Sequence, residues 1–193
     1  MIRKLVLCLT MSLITFGFSL NASASDGNAE AWQALRDGQA ILILRHALAP
    51  GTGDPANFTL NDCSTQRNLN EAGREQARSW KPFLAKHGIE EARVFTSQWC
   101  RCRETANEMN VGEVTDMPSL NSFFQNRESG PGQTRETIER VNSWEPGLPV
   151  VLVSHQVNIT ALAGIFPASN EGVILSLPLS EDPTVLARVA PGR

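Results

Sequence analysis

The sequence predicts an α/β fold, a three-layer α/β/α sandwich with a largely parallel central sheet. Two observations carry that prediction. The apolar runs at 40–44 and 149–153 lack polar alternation, as strands buried on both faces do. Helix-like and strand-like segments also alternate along the chain, the order that parallel sheets require.

The elements follow in turn. A short helix over 29–37 ends at Gly38, and Ala40 to Leu44 is the first buried strand. A loop rich in Gly, Pro, Asp and Asn runs from Ala47 to about Asn68. Asn70 is placed to cap a helix that reaches His87, kinks at Pro82 and stops at Gly88. Arg93 to Thr96 is a second strand, and Ser97 can cap a helix over 99–109. Val114 to Met117 is a weak strand, Thr134 to Trp144 a helix, and Pro149 to Val153 the strongest strand signal. A short helix over 157–163 and strands over 172–177 and 184–189 complete the order.

The first residues read as a leader. Arg3 and Lys4 precede an uncharged run from Leu5 to Leu20, and Ala22-Ser23-Ala24 has the small-x-small pattern of a signal-peptidase site. The expectation is a cleaved signal peptide over 1–24 and a single α/β domain over 25–193, periplasmic or secreted. A retained membrane anchor fits less well, because the run is short and no basic stop-transfer cluster follows. Cys8 has no small residue just before it, which argues against lipidation.

Net charge is −3, or −5 without Arg3 and Lys4, and no basic cluster stands out, so neither nucleic acid nor an anionic membrane is an expected partner. Past the leader the cysteines are Cys63, Cys100 and Cys102. In an oxidising compartment Cys63 can bridge to Cys100 or to Cys102, leaving one thiol over. A zinc site is the sharper alternative, but Cys-x-Cys lacks the usual ligand spacing and no histidine is near in sequence.

Functional side chains concentrate just past strand ends, where open α/β sheets bind ligands. Arg45 and His46 follow the first strand, Ser97 with Arg101 and Arg103 the second, and Ser154, His155 and Gln156 the fourth. Of three histidines two thus hold equivalent positions, while His87 sits in a last helical turn and receives no catalytic role. Guanidinium forks match phosphoryl oxygens, and their charge opposes protonation of a nearby imidazole. A neutral imidazole among arginines is a nucleophile suited to phosphorus.

At this point the residues resemble a known family. ILILRHALAPG, RNLNEAGREQAR, TSQWCRCRETA and VVLVSHQVNITALAG resemble the successive signatures of the histidine phosphatase (phosphoglycerate-mutase-like) superfamily, over about residues 40–165. The resemblance implies that His46 is the nucleophile that becomes phosphohistidine. It makes Arg45 and Arg101 phosphate-binding neighbours, with Arg103 turned outward, and His155 the second histidine that stabilises the transition state. Gln156 and Asp54 are further substrate-binding candidates.

The departures are specific. Ala47 replaces the family's glycine after Arg-His, and neither Leu120 to Phe124 nor Gln156 supplies the acid that its two branches place there. Asp54, Glu128 and Glu171 remain as candidate proton donors. A Cys63 disulfide to the 99–102 segment would tie the long loop beside Arg101.

The expected function is an exported, metal-independent phosphatase that hydrolyses phosphomonoesters of small molecules through a phosphohistidine on His46, without a cofactor. One alternative is a phosphate-ligand-binding or regulatory protein with little turnover. Another is a thiol-based redox or metal protein centred on Cys100 and Cys102. The sequence specifies neither the substrate nor the oligomeric state.

Overall fold

The computed structural model describes residues 28–192. The leader expected over 1–24 and its cleavage site lie outside the described residues. The strands are β1 (Ala40–Arg45), β2 (Arg93–Thr96), β3 (Val114–Asp116), β4 (Val150–Ser154), β5 (Gly172–Ser176) and β6 (Val185–Val189). The helices are α1 (Ala29–Arg36), α2 (Glu71–Arg78), α3 (Trp80–Lys86), α4 (Cys100–Met109), α5 (Gly130–Asn142) and α6 (Gln156–Ala163). The strands form one sheet in the order β3-β2-β4-β1-β5-β6. β1 to β4 are mutually parallel, whereas β5 runs antiparallel to β1 and β6 antiparallel to β5.

The strand period of two sorts the core into layers. Leu42, Leu44, Val151 and Val153 face a cluster with Trp32, Leu35, Trp80, Leu84 and Met109 from α1, α3 and α4. Ile41, Ile43 and Leu152 face the opposite cluster, where α5 and α6 contribute Val141, Ile159 and Leu162. Continuous apolar strands are thus covered by helices on both sides, the three-layer α/β/α arrangement that the sequence predicts.

Two boundaries differ from expectation. The helix read from Asn70 to His87 is broken at Ser79, not kinked at Pro82. Because the chain restarts there, Pro82 falls in the first turn of α3, where its missing N–H leaves no helical bond unmade. Similarly, α5 begins at Gly130 rather than Thr134, since Pro131 is tolerated in a first turn.

The start of α2 is fastened to the loop that follows His46. Asn70 caps it, its side chain accepting from the Gly73 N–H at 2.9 Å. Gln76 accepts from the Leu48 N–H at 3.0 Å. Gly73 is required by close approach, because a Cβ there would stand 2.1 Å from the Leu48 carbonyl oxygen.

Candidate active site

Strand register assembles the site. Arg45 on β1 pairs with Ser154 on β4, so His46 and His155 are the next residues on adjacent parallel strands. Neighbouring strands lie about 4.8 Å apart, which leaves two side chains projecting from their ends as neighbours. Their ring centroids are 5.5 Å apart. The Ser97 N–H donates to the Val153 carbonyl at 3.0 Å, bringing the end of β2 alongside.

His46 is buried, and its Nδ1 lies 2.8 Å from the Ala47 carbonyl oxygen. A carbonyl only accepts, so Nδ1 carries the hydrogen and Nε2 keeps its lone pair. Burial pushes His46 well below the usual histidine pKa, and the Arg101 charge pushes it further against the opposing Ala47 bond. Burial is thus a larger cause than the arginine charge that the sequence points to.

His155 is likewise buried and depressed, first by burial and then by Arg101. Its Nε2 lies 2.8 Å from Ser97 Oγ, and its Nδ1 lies 3.5 Å from Arg101 Nη2. A guanidinium only donates, so Nδ1 accepts and Nε2–H donates to Ser97, whose hydroxyl donates to Asn121 Oδ1 at 3.2 Å.

Arg101 leads the electrostatics. Asp54 holds it through two bonds, Nη1 to Oδ1 at 2.8 Å and Nη2 to Oδ2 at 3.2 Å. Burial alone would raise the Asp54 carboxyl, but its bonds to Arg101 outweigh that and keep it below the usual carboxylate range. The Trp99 indole and the Arg67 N–H also donate to Asp54, at 3.1 Å each. Asp54 therefore reaches the pocket as the partner of Arg101.

Arg45 donates from Nη1 to the Pro167 carbonyl at 3.1 Å. The Nε atoms of Arg45 and Arg101 are buried without a hydrogen-bond partner. Arg67 is a third guanidinium, fixed by Nε to the Gly53 carbonyl at 2.8 Å and by Nη1 to the Ala49 carbonyl. The sequence does not single out Arg67 as a site residue, although it lies in the long loop that follows His46. Its only signal was that position.

Arg45, His46, Asp54, Arg67, Arg101 and His155 line one pocket, together with Trp99, Ser122, Phe124, Gln125 and Gln156. Gln156 donates from Nε2 to Thr160 at 2.8 Å. Glu128 is exposed on a short turn and absent from the lining. Glu171 is buried elsewhere, accepting from the Ala168 N–H and from Arg188. Asp54 is thus the single carboxylate among the described lining residues.

Arg103 turns away, as expected, donating to Asp116 at 2.9 Å. His87 stacks on Trp32 with centroids 4.0 Å apart, far from this pocket in its contacts. The disulfide joins Cys63 to Cys100, one of the two expected pairings, and Cys102 is the buried free thiol. Cys102 Sγ lies 3.4 Å from His155 Nε2, and burial pushes its pKa up to about 12. No group of three or more His, Cys, Asp or Glu among the described residues could hold a metal ion.

A family model described as "Histidine phosphatase superfamily (branch 1)" matches residues 41–123, a stretch that holds Arg45, His46, Arg67 and Arg101. Over that stretch the chain is similar to the histidine phosphatase superfamily. His155 lies beyond the matched stretch, but parallel pairing of β4 with β1 brings it there. Solved structures of other proteins share the fold. A protein of Escherichia coli K-12 named as a candidate α-ribazole-5′-P phosphatase is 17% identical, aligned over 81% of this chain and 98% of its own, with a TM-score of 0.56. A candidate phosphohistidine phosphatase SixA from Agrobacterium tumefaciens is 18% identical over 80% and 99%, with a TM-score of 0.52. A mycobacterial glucosyl-3-phosphoglycerate phosphatase, solved with inorganic phosphate, is 17% identical over 72% and 89%, with a TM-score of 0.50. No curated protein matches by sequence.

Proposed function

We propose that this chain is a histidine phosphatase, an exported, metal-independent enzyme that hydrolyses small phosphomonoesters through a phosphohistidine on His46. The observation that carries the reading is the pair of orphaned donors, Arg45 Nε and Arg101 Nε, on two guanidiniums lining the pocket of an imidazole with a free Nε2. A buried N–H without an acceptor is costly, and phosphoryl oxygens are the acceptors that a guanidinium fork fits.

The steps follow from the groups. His46 Nε2 attacks phosphorus, the P–N bond forms, and the bond to the leaving oxygen breaks with its electron pair. Arg45, Arg67 and Arg101 meet the charge on the equatorial oxygens, the role a metal ion plays in other phosphoryl transferases. His155, held by Ser97, stands beside the transferring group. Water then attacks phosphorus, the P–N bond breaks, and phosphate leaves with His46 restored. Export rests on the leader pattern of 1–24 and suits the Cys63–Cys100 disulfide.

A second reading, a phosphate-binding protein with little turnover, is favoured by one observation. The single lining carboxylate, Asp54, is committed to Arg101 and unsuited to giving up a proton. Hydrolysis of p-nitrophenyl phosphate in EDTA, wild type beside His46→Ala, decides between them. Turnover that survives EDTA and disappears in the variant supports the enzyme. Phosphate binding without turnover supports the second reading.

A further inference from the structure

Phe124 is 42% exposed and lines the mouth of the His46 pocket. Its loop is firmly fastened. The Asn121 carbonyl accepts from Gln133 Nε2 at 2.8 Å and from Asn158 Nδ2 at 2.9 Å. The Asn121 side chain exchanges bonds with Gln98, Oδ1 accepting from the backbone N–H at 2.8 Å and Nδ2 donating to Oε1 at 2.9 Å. Phe123 is only 7% exposed and packs so closely on Gly130 that a Cβ there would stand 3.1 Å from its ring. With Phe123 filling the inner position, Phe124 is held outward at the mouth, and Arg127 lies 5.5 Å from its ring centroid.

A second observation concerns the leaving group. With its one lining carboxylate tied to Arg101, the pocket offers no free acid among the described residues to protonate a departing oxygen. An ester then cleaves readily only if its oxygen is stable as an anion. Phenolic hydroxyls have a pKa near 10, whereas aliphatic alcohols lie far higher, close to water. The chemistry thus selects aryl oxides, and an aromatic ring waits where such a group would emerge.

We propose that Phe124 is a specificity-determining residue that holds the aromatic leaving group of a small aryl phosphate ester, while the phosphoryl group sits among Arg45, Arg67 and Arg101. This rests on the phosphatase reading above. As the His46 Nε2–P bond forms, the P–O(aryl) bond breaks, the aryl oxide keeps the electron pair, and solvent water protonates it.

The test compares phenyl phosphate with ethyl phosphate on the oxidised full chain, for wild type, Phe124→Ala and Phe124→Trp. Wild type should prefer the aryl ester. Phe124→Ala should lose roughly three- to tenfold in kcat/KM for phenyl phosphate, chiefly through KM, the size of an aromatic pair contact. Its loss on ethyl phosphate should be clearly smaller, and Phe124→Trp should recover kcat/KM for phenyl phosphate. Equal effects of Phe124→Ala on both esters, or none on either, would overturn the proposal.

Binding provides a readout that does not need turnover. Phenylphosphonate should bind wild type more tightly than inorganic phosphate does, and Phe124→Ala should remove that difference. If the difference persists in the variant, the proposal fails. Loss of the phosphatase reading shows elsewhere, as aryl turnover that survives His46→Ala.

Discussion

Asp54 grips Arg101 through two hydrogen bonds, with the two side chains 7% and 4% exposed. So well buried an ion pair is costly to break, because the surviving charge is left alone. Asp54→Asn keeps the shape but gives up the charge and one acceptor. Phosphate affinity should fall by roughly 30-fold or more as Arg101 loosens, the low end of the cost of truncating a buried charge pair. If Asp54 instead supplied the leaving-group proton, the variant would slow alkyl esters far more than aryl esters. Equal slowing of both confirms a positioning role.

The Cys63–Cys100 bond spans 37 residues of sequence and ties the long loop, which carries Asp54 and Arg67, to the start of α4. Chain-entropy reasoning gives about 4 kcal/mol for a loop of that length, and measured values often fall lower. Cys63→Ser should lower unfolding stability by about 2–4 kcal/mol in urea melts under oxidising conditions. Phosphate affinity should fall with it, since Cys100 directly precedes Arg101. An unchanged affinity would make the bond a staple for stability alone.

What was legible in the sequence follows from period and position. Continuous apolar runs identified β1 and β4, and strand-end placement identified Arg45, His46 and His155, because strand ends aim side chains rigidly. The Ser79 break was not legible, since Pro82 marks a constraint without saying which turn absorbs it. Nor was Arg67, whose place in the pocket depends on carbonyl contacts to Gly53 and Ala49 that no local pattern encodes. The antiparallel direction of β5 was equally hidden, because buried apolar strands look alike either way.

Both buried imidazoles have native pKa values well below 6.5. Below that value the unfolded chain binds protons that the native state refuses, so stability increases with pH there. The contribution is complete above the unfolded pKa, near 6.5, and is lost as pH falls through the depressed native values. The slope is at most about 1.4 kcal/mol per pH unit for each histidine. Urea midpoints measured from pH 7.5 down to 5 should therefore decline, and His155→Gln should flatten the decline. A flat wild-type profile would contradict the depressed values.

Gly73 faces the Leu48 carbonyl so closely that an added methyl would overlap backbone, with a Cβ 2.1 Å from the oxygen. Gly73→Ala must push α2 away from the loop that follows His46. A cost of about 1–3 kcal/mol is expected from overpacking, despite the better helix propensity of alanine. Thermal melts measure the first effect, and a lower kcat without loss of fold measures its reach into the site.

Cys102 decides whether this chain uses thiol chemistry. The thiolate is the reactive form, and a group pushed up to about 12 by burial holds almost none of it at neutral pH. The thiol is also fully enclosed, between the Ser154 carbonyl at 3.6 Å and His155. Iodoacetamide should leave Cys102 unlabelled in the native oxidised protein at pH 7.5 and label it in urea, as read by peptide mapping. Cys102→Ala should open a small gap beside His155, costing about 1 kcal/mol or slightly more, and keep most p-nitrophenyl phosphate turnover. Fast native labelling, or full activity in His46→Ala with none in Cys102→Ala, would shift the chemistry from the imidazole to the sulfur.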